Sequence, residues 1–387
     1  MKRVYFDHAA TSWPRLSGVA DAMYLFENAE SASAGRGSYS STTAITARIS
    51  QLRLAIARMV NASAREVAFF ANGTSANNYA LAGVLRSGDH VVTTDAEHNS
   101  ILRPLRLLEQ QRGITWTPVK VDASGAVDPS DIAATIRPET KLIVCTSASN
   151  VTGSINDLAA IGAIASNKRI LFMVDAAQSL GYDPIDMHAM RIDIMAAPGH
   201  KGAGGPLGTG VLIVDASLHA DWQPLWIGGT GEMSDQLDGD FDWTQIAESG
   251  NRNATALVGW LAGIEHLTQL PDGNLVSRQR RLHELLDGCS IGRLIGHAPG
   301  QKTVPVFSLD CSTANGSGLS PGDWSALLDS AFHIEVRSGL HCAARVHQHL
   351  NTVTAGGTLR FSIGHTTTDE DLDTLESVLK ELRAWKN

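Results

Sequence analysis

Short apolar runs recur along the first half of the chain: Val67–Phe70, His90–Thr94, Leu142–Ser147, Ile170–Asp175 and Gly210–Val214. Each is rich in β-branched or aromatic residues and is separated from the next by longer stretches of helical character. Strands alternating with helical patterns predict a mainly parallel sheet with crossover helices. One such helix is marked by Ile45, Ile49, Leu52, Ile56 and Met59, whose spacing of four and three residues makes a single apolar face. The last helix is announced by Thr368 with Asp371 three residues later, a capping pattern, and carries Leu372, Leu375, Leu379 and Leu382 on one side. Between about Gly228 and Gly250 the chain is rich in Gly, Asp and Trp without periodicity, which predicts long irregular structure.

Composition narrows the class. With 387 residues, 43% of them apolar and 18% charged, the chain has enough apolar material for one large domain and a smaller one. No apolar run reaches the length of a membrane span, and the first residues, MKRVYFDHAATSWPR, hold no apolar stretch of signal-peptide length. A net charge of −9 creates no field that gathers phosphate backbones or an anionic bilayer, so nucleic-acid and membrane partners are not expected. The four cysteines, Cys145, Cys289, Cys311 and Cys342, show no paired short spacing, which points away from a disulfide framework and towards a reducing, cytoplasmic setting.

Ligands of open α/β sheets bind beyond the carboxyl ends of strands, so polar residues just after apolar runs are the candidates for chemistry. Gly73, Thr74 and Ser75 follow one run and open a helix, where free backbone N–H groups favour a phosphate; an ordinary helix cap would look the same. Asp175 ends a strongly apolar run, with Gln178 three residues on, and a carboxylate there either caps a helix or holds a cationic group. His200 and Lys201 precede five glycines and a strand; a desolvated lysine in such a turn can lose its proton and form a Schiff base. Arg337, His341, Cys342 and His347 fall within eleven residues. They read as a thiolate favoured by nearby cations, as a buried inert cysteine, or, with His349, as a metal site, though adjacent ligands at 341 and 342 rarely reach one ion and no metal is expected.

Taken in order, from YFDHAATSWP at residue 5 to GTLRFSIGHTTTDED ending at residue 371, these motifs resemble the class V aminotransferase family, and within it the cysteine desulfurase and selenocysteine lyase branch. The resemblance implies an aspartate-aminotransferase-like α/β fold: residues 1–15 an arm on the small domain, 16–257 a large domain with a mainly parallel sheet, and 258–387 a small α+β domain carrying Cys342. It implies pyridoxal 5'-phosphate as cofactor. Thr74, with Gly73 and Ser75, would hold its phosphate, aided by His200; His98 would stack on the ring; Asn150 and Gln178 would meet the ring oxygen; Asp175 would meet the ring nitrogen. Lys201 would be the Schiff-base lysine and Arg360 would clamp the substrate carboxylate, with Arg337 also on the substrate. Cys342 matches the catalytic cysteine of the shorter-lid desulfurases.

The chemistry fits those roles. Asp175 would keep the ring nitrogen protonated so that the ring accepts electrons, Lys201 would move the α-proton, and Cys342 would take the sulfur of L-cysteine as a persulfide, leaving alanine. A homodimer and a sulfur-accepting thiol, on a protein or a small molecule, are also implied. Three positions depart from the pattern: Pro198 where many relatives have serine, Asn251 where a threonine would reach the neighbouring subunit's phosphate, and His8 for the usual asparagine. Other reactions on the same scaffold remain open at this point, namely transamination, epimerisation, selenocysteine or other C–S lysis, as does a non-catalytic sensor that keeps the fold.

Overall fold

A computed structural model of the chain describes residues 2–35, 37–229, 242–271, 273–297, 300–313 and 318–384. Seven strands form the main sheet, in the order Val67–Phe70, Gly210–Val214, Ile194–Pro198, Leu171–Asp175, Thr140–Thr146, His90–Thr94 and Thr115–Val119. Gly210–Val214 alone pairs antiparallel with both of its neighbours, and the other strands share one direction. A parallel return needs a crossover of about a dozen residues or more, usually a helix; residues 199–209 are too few and contain none, so the chain doubles back as a hairpin.

Successive side chains on a strand face opposite ways, and here both faces are covered. Ile143, Cys145, Phe172, Val174 and Met195 enter one apolar core with the helices Ser40–Met59 and Ala254–Leu267. Leu142, Val144, Met173, Ile194 and Leu212 enter the other, against the helices Gly73–Val84 and Asn99–Arg112. That double burial is why the strands read as unbroken apolar runs instead of alternating ones.

A second, four-stranded antiparallel sheet runs in the order Arg337–Gly339, Thr358–Ser362, Val306–Asp310, Arg293–Ile295. Its core includes Leu372, Leu375, Leu379 and Leu382 of the last helix, Asp369–Ala384. Thr368 and Asp371 cap that helix reciprocally, at 2.9 and 3.2 Å. The strand Val4–Tyr5 pairs in parallel with Ile334–Glu335, and Phe6 joins the same core.

The expected boundary at 257/258 falls inside the helix Ala254–Leu267, whose Val258, Trp260, Leu261 and Ile264 pack in the core of the large sheet; the chain leaves that core only after Leu267. Of the segment expected to be irregular between Gly228 and Gly250, residues 230–241 lie outside the described residues, while Trp243–Ala247 forms a short helix that Asp242 and Gln245 cap. No helix among the described residues is long and apolar enough to cross a membrane.

Candidate active site

A cavity of about 200 Å³ opens at the carboxyl ends of the parallel strands. Asp175, Pro198 and Thr146, the final residues of their strands, line it, as do Gly73 and Thr74 after Val67–Phe70 and His98 after His90–Thr94. Asn150, Gln178, His200, Lys201, Arg337 and Arg360 complete most of the wall. The sheet topology therefore brings to one place residues nearly 290 positions apart.

Asp175 forms the floor. Ala177 N donates to its Oδ1 at 3.0 Å and Asn77 Nδ2 to its Oδ2 at 2.8 Å, with the Ser100 hydroxyl at 3.5 Å. These donors fix the carboxylate plane from beneath. Asn77 and Ser100 were not foreseen, yet Asn77 follows Thr74 by three residues on one helix, which places both on the same face. His98 caps the helix Asn99–Arg112: its Nδ1 accepts from Ser100 N at 3.0 Å, which leaves the ring proton on Nε2. Burial lowers the pKa of His98, and the charge of Asp175 opposes that shift.

Lys201 shares this low-dielectric wall. Burial pushes its pKa down to about 8 against the pull of Asp175, so near neutrality about a tenth of the amine is unprotonated, far more than for an ordinary lysine. Burial also pushes His200 down to about 4, so it is neutral and can offer hydrogen bonds, not charge; its Nδ1 lies 3.1 Å from Thr11 Oγ1. The N-terminal segment wraps this corner: Ser12 N donates to the His200 carbonyl at 2.9 Å, and Ala9 and Ala10 line the cavity.

Opposite stands Arg360, 1% exposed. It donates through Nη1 to the Asn150 carbonyl at 2.9 Å and through Nη2 to Asp7 Oδ1 at 2.7 Å, while its buried Nε has no partner. Arg337 sits directly across from it in the antiparallel ladder, so two guanidinium groups face one cavity and favour an anion there. Asn150 donates to the His341 carbonyl at 2.6 Å, and Gln178 donates to the Ala9 carbonyl at 3.1 Å with its own carbonyl oxygen buried and unpartnered.

At the helix start, Asn72 accepts from Ser75 N at 2.8 Å and the Ser75 hydroxyl donates to the Asn72 carbonyl at 2.8 Å. Ser75 thus serves the cap and does not line the cavity. The N–H groups of Gly73 and Thr74 are left for a ligand, as the first N–H groups of a helix have no intrahelical acceptor. A side chain at Gly73 would meet Pro198 at 3.1 Å, so glycine is what lets the helix approach the strand that ends at Pro198.

Cys342 is exposed and does not line the cavity. Its carbonyl accepts from Asn99 N at 2.9 Å, which sets the thiol-bearing turn beside His98. His341 and Cys342 are consecutive non-glycine residues at positive φ, 48° and 60°. His341 Nε2 turns to Thr358 (3.0 Å), His347 Nδ1 to Thr352 (2.8 Å) and His349 Nε2 to Asp95, so the histidines weighed as metal ligands point to three different partners. Asn251 is exposed, accepts from Ser33 at 3.0 Å and does not line the cavity of its own chain. His8 is buried beside Thr367, at 3.2 Å, with its Nδ1 unpartnered.

With that geometry in place, comparison identifies the family: residues 4–375 match the aminotransferase class-V model, and the chain belongs to that family. It is 34% identical over 385 residues to a probable cysteine desulfurase of Methanothermobacter thermautotrophicus, covering 98% of this chain and 94% of the relative. The apo cysteine desulfurase of Thermococcus onnurineus superposes with a TM-score of 0.87 at 30% identity, covering 98% of this chain and 94% of the other. The cysteine desulfurase CsdA of Escherichia coli, in an S-sulfonic acid form, does so with a TM-score of 0.83 at 26% identity over the same shares.

Proposed function

We propose that this chain is a pyridoxal 5'-phosphate-dependent cysteine desulfurase that converts L-cysteine to L-alanine and holds the sulfur as a persulfide on Cys342 until an acceptor thiol collects it. The observation that carries the reading is a single cavity that gathers Asp175, Lys201 and Arg360 while the exposed Cys342 turn is tied to its rim through Asn99 and Asn150. The full-length relatives named cysteine desulfurase support the same reaction.

The wall suits the cofactor. The free N–H groups of Gly73 and Thr74, the Thr74 hydroxyl and neutral His200 would take a phosphate; Asp175 would take a ring N–H; Asn150 and Gln178, whose unpartnered carbonyl oxygen can accept, would meet the ring hydroxyl; His98 would lie against the ring face. Bound there, the cofactor supplies a sink for the electron pair released at the substrate α-carbon.

Arg360 would orient the substrate carboxylate through its unpartnered Nε, with Arg337 beside it. Lys201, as a neutral amine, takes the α-proton and returns a proton to carbon once sulfur has left. The Cys342 thiolate attacks the substrate sulfur: an S–S bond forms as the substrate Cβ–S bond breaks, and the carbon fragment leaves as alanine after protonation. Because Cys342 is exposed, a second thiol can then reach the persulfide.

We further place the division between the two domains after Leu267 and read the working unit as a homodimer, in which Asn251 would serve the neighbouring site. A chain whose cysteines form no disulfide among the described residues suits a reducing cytoplasm. Borohydride treatment followed by peptide mass mapping tests the assignment of the cofactor. A pyridoxyl-phosphate adduct on Lys201 is expected, and an adduct elsewhere, or none, contradicts it.

A further inference from the structure

Asp95 begins the turn that carries His98, and it is 2% exposed. Both of its carboxylate oxygens are occupied from the far end of the chain: Arg345 Nε meets Oδ1 and His349 Nε2 meets Oδ2. The two partners are four residues apart in the short helix Ala344–His349, so they share one face. That helix begins two residues after Cys342. Val346 and Ala343 pack with Ala96, Val121 and Val151 in a small apolar cluster separate from the large cores.

The turn held this way is a costly one. Non-glycine residues in the left-handed region are strained and persist only where the surroundings over-determine them, and here two stand in succession. Asn99 and Asn150 hold the two carbonyls of the turn. Those bonds restrain the His341–Cys342 backbone; they do not fix where the following helix lies. The apolar cluster seats that helix, and Asp95 binds two of its side chains to the turn that presents His98 to the cavity.

We propose that Asp95, acting through Arg345 and His349, is a positioning residue that holds Cys342 in its left-handed turn beside the cavity, so that the sulfur acceptor and the His98 wall keep a fixed relation. The inference rests on the reading of Cys342 as the sulfur-accepting nucleophile. Asp95 itself does not line the cavity. It is sequence-distant from its partners by 250 and 254 residues, so the contact ties the large-sheet side of the site to the segment that bears the thiol.

The test uses holoenzyme carrying Arg345→Gln, with Asp95→Asn as a second variant and Arg345→Lys as the conservative one. Arg345 is partly exposed, so its replacement leaves the core intact. Two readouts are compared: alkylation of Cys342 by iodoacetamide, followed by peptide mass, and kcat and KM for alanine formation from L-cysteine with a thiol reductant. Arg345→Gln is expected to lower kcat about tenfold with KM within about twofold, and to raise the alkylation rate about threefold or more as the turn relaxes. Arg345→Lys should recover most of both, and the double variant should lose little beyond the worse single one, since both changes break one contact. The proposal is overturned if Arg345→Gln leaves alkylation and kcat within about twofold of wild type, or if the loss appears as weakened cofactor retention with unchanged Cys342 reactivity. If wild type releases no alanine, the desulfurase reading fails on its own, and the alkylation comparison still decides whether Asp95 positions the turn.

Discussion

The floor and the rim of this site are built on opposite plans. Asp175 ends a central strand, is 3% exposed, and is held by Asn77 of the helix Gly73–Val84 and by the backbone N–H of Ala177 in the turn that follows the strand. Cys342 is exposed, stands in a strained turn, and depends on a six-residue helix, a small apolar cluster and the Asp95 contact. The contrast follows from what each must do. A group that tunes an electron sink gains from burial and fixed dipoles, because electrostatic interactions are strong only where water is excluded. A group that receives sulfur and gives it away must meet a partner, so it cannot be buried.

Breaking the floor should therefore have the larger effect. Lys201→Ala removes the amine that moves the α-proton, and alanine formation should fall by about a thousandfold or more, measured in single turnovers. Asp175→Asn keeps the shape and removes the charge facing the ring nitrogen; a fall of about a hundredfold is expected, with altered absorbance of the bound cofactor. Asn77→Ala takes away the 2.8 Å donor beneath Asp175 and should cost about tenfold in kcat, as loss of one hydrogen bond to a charged group does.

A fourth prediction concerns stability and has the smallest effect on turnover. His8 is held neutral by burial, with a pKa of about 3 against an ordinary 6.5. As pH falls below about 6.5 the unfolded chain binds this proton first, so the native state loses stability progressively down to about pH 3. His200, His297 and His347, each lowered to about 4 by burial, add to the same slope. Glu97 opposes it: burial raises its carboxyl to about 8, which favours the native state as pH falls between its ordinary 4.5 and 8. His8→Asn should flatten the fall in unfolding free energy between pH 6.5 and 5, by about 2 kcal/mol at pH 5, measured by denaturant titration.

The sequence carried much of this architecture because the strands are buried on both faces. Val67–Phe70, His90–Thr94, Leu171–Asp175 and Gly210–Val214 all coincide with, or lie within, apolar runs read from the chain, and polar residues that follow the first three of these runs line the cavity. Two strands of the main sheet were not legible. Thr115–Val119 is a half-exposed edge strand that contains a proline, and Ile194–Pro198 is a short alanine-containing run that reads equally well as helix. The direction of Gly210–Val214 was encoded only in the shortness of the connection before it.

At the site, wall residues with a motif were found, whereas supporting ones were not. Ser100 looks like any residue in a helix's first turn until the fold brings it under Asp175. Asp95 and Arg345 belong to segments 250 residues apart and meet only through the docking of the two sheets, which no local pattern records. Ser75 shows the reverse: it stands in the motif, but its backbone N–H and hydroxyl serve the Asn72 cap.

The most direct test of the central claim is the simultaneous measurement of alanine and sulfide released from L-cysteine in the presence of a thiol reductant, comparing wild type with Cys342→Ala. The account predicts equal amounts of the two products from wild type, and loss of both from a variant that still binds the cofactor through Lys201. Undiminished release by Cys342→Ala, or a cofactor-loaded wild type that makes no alanine, would contradict it.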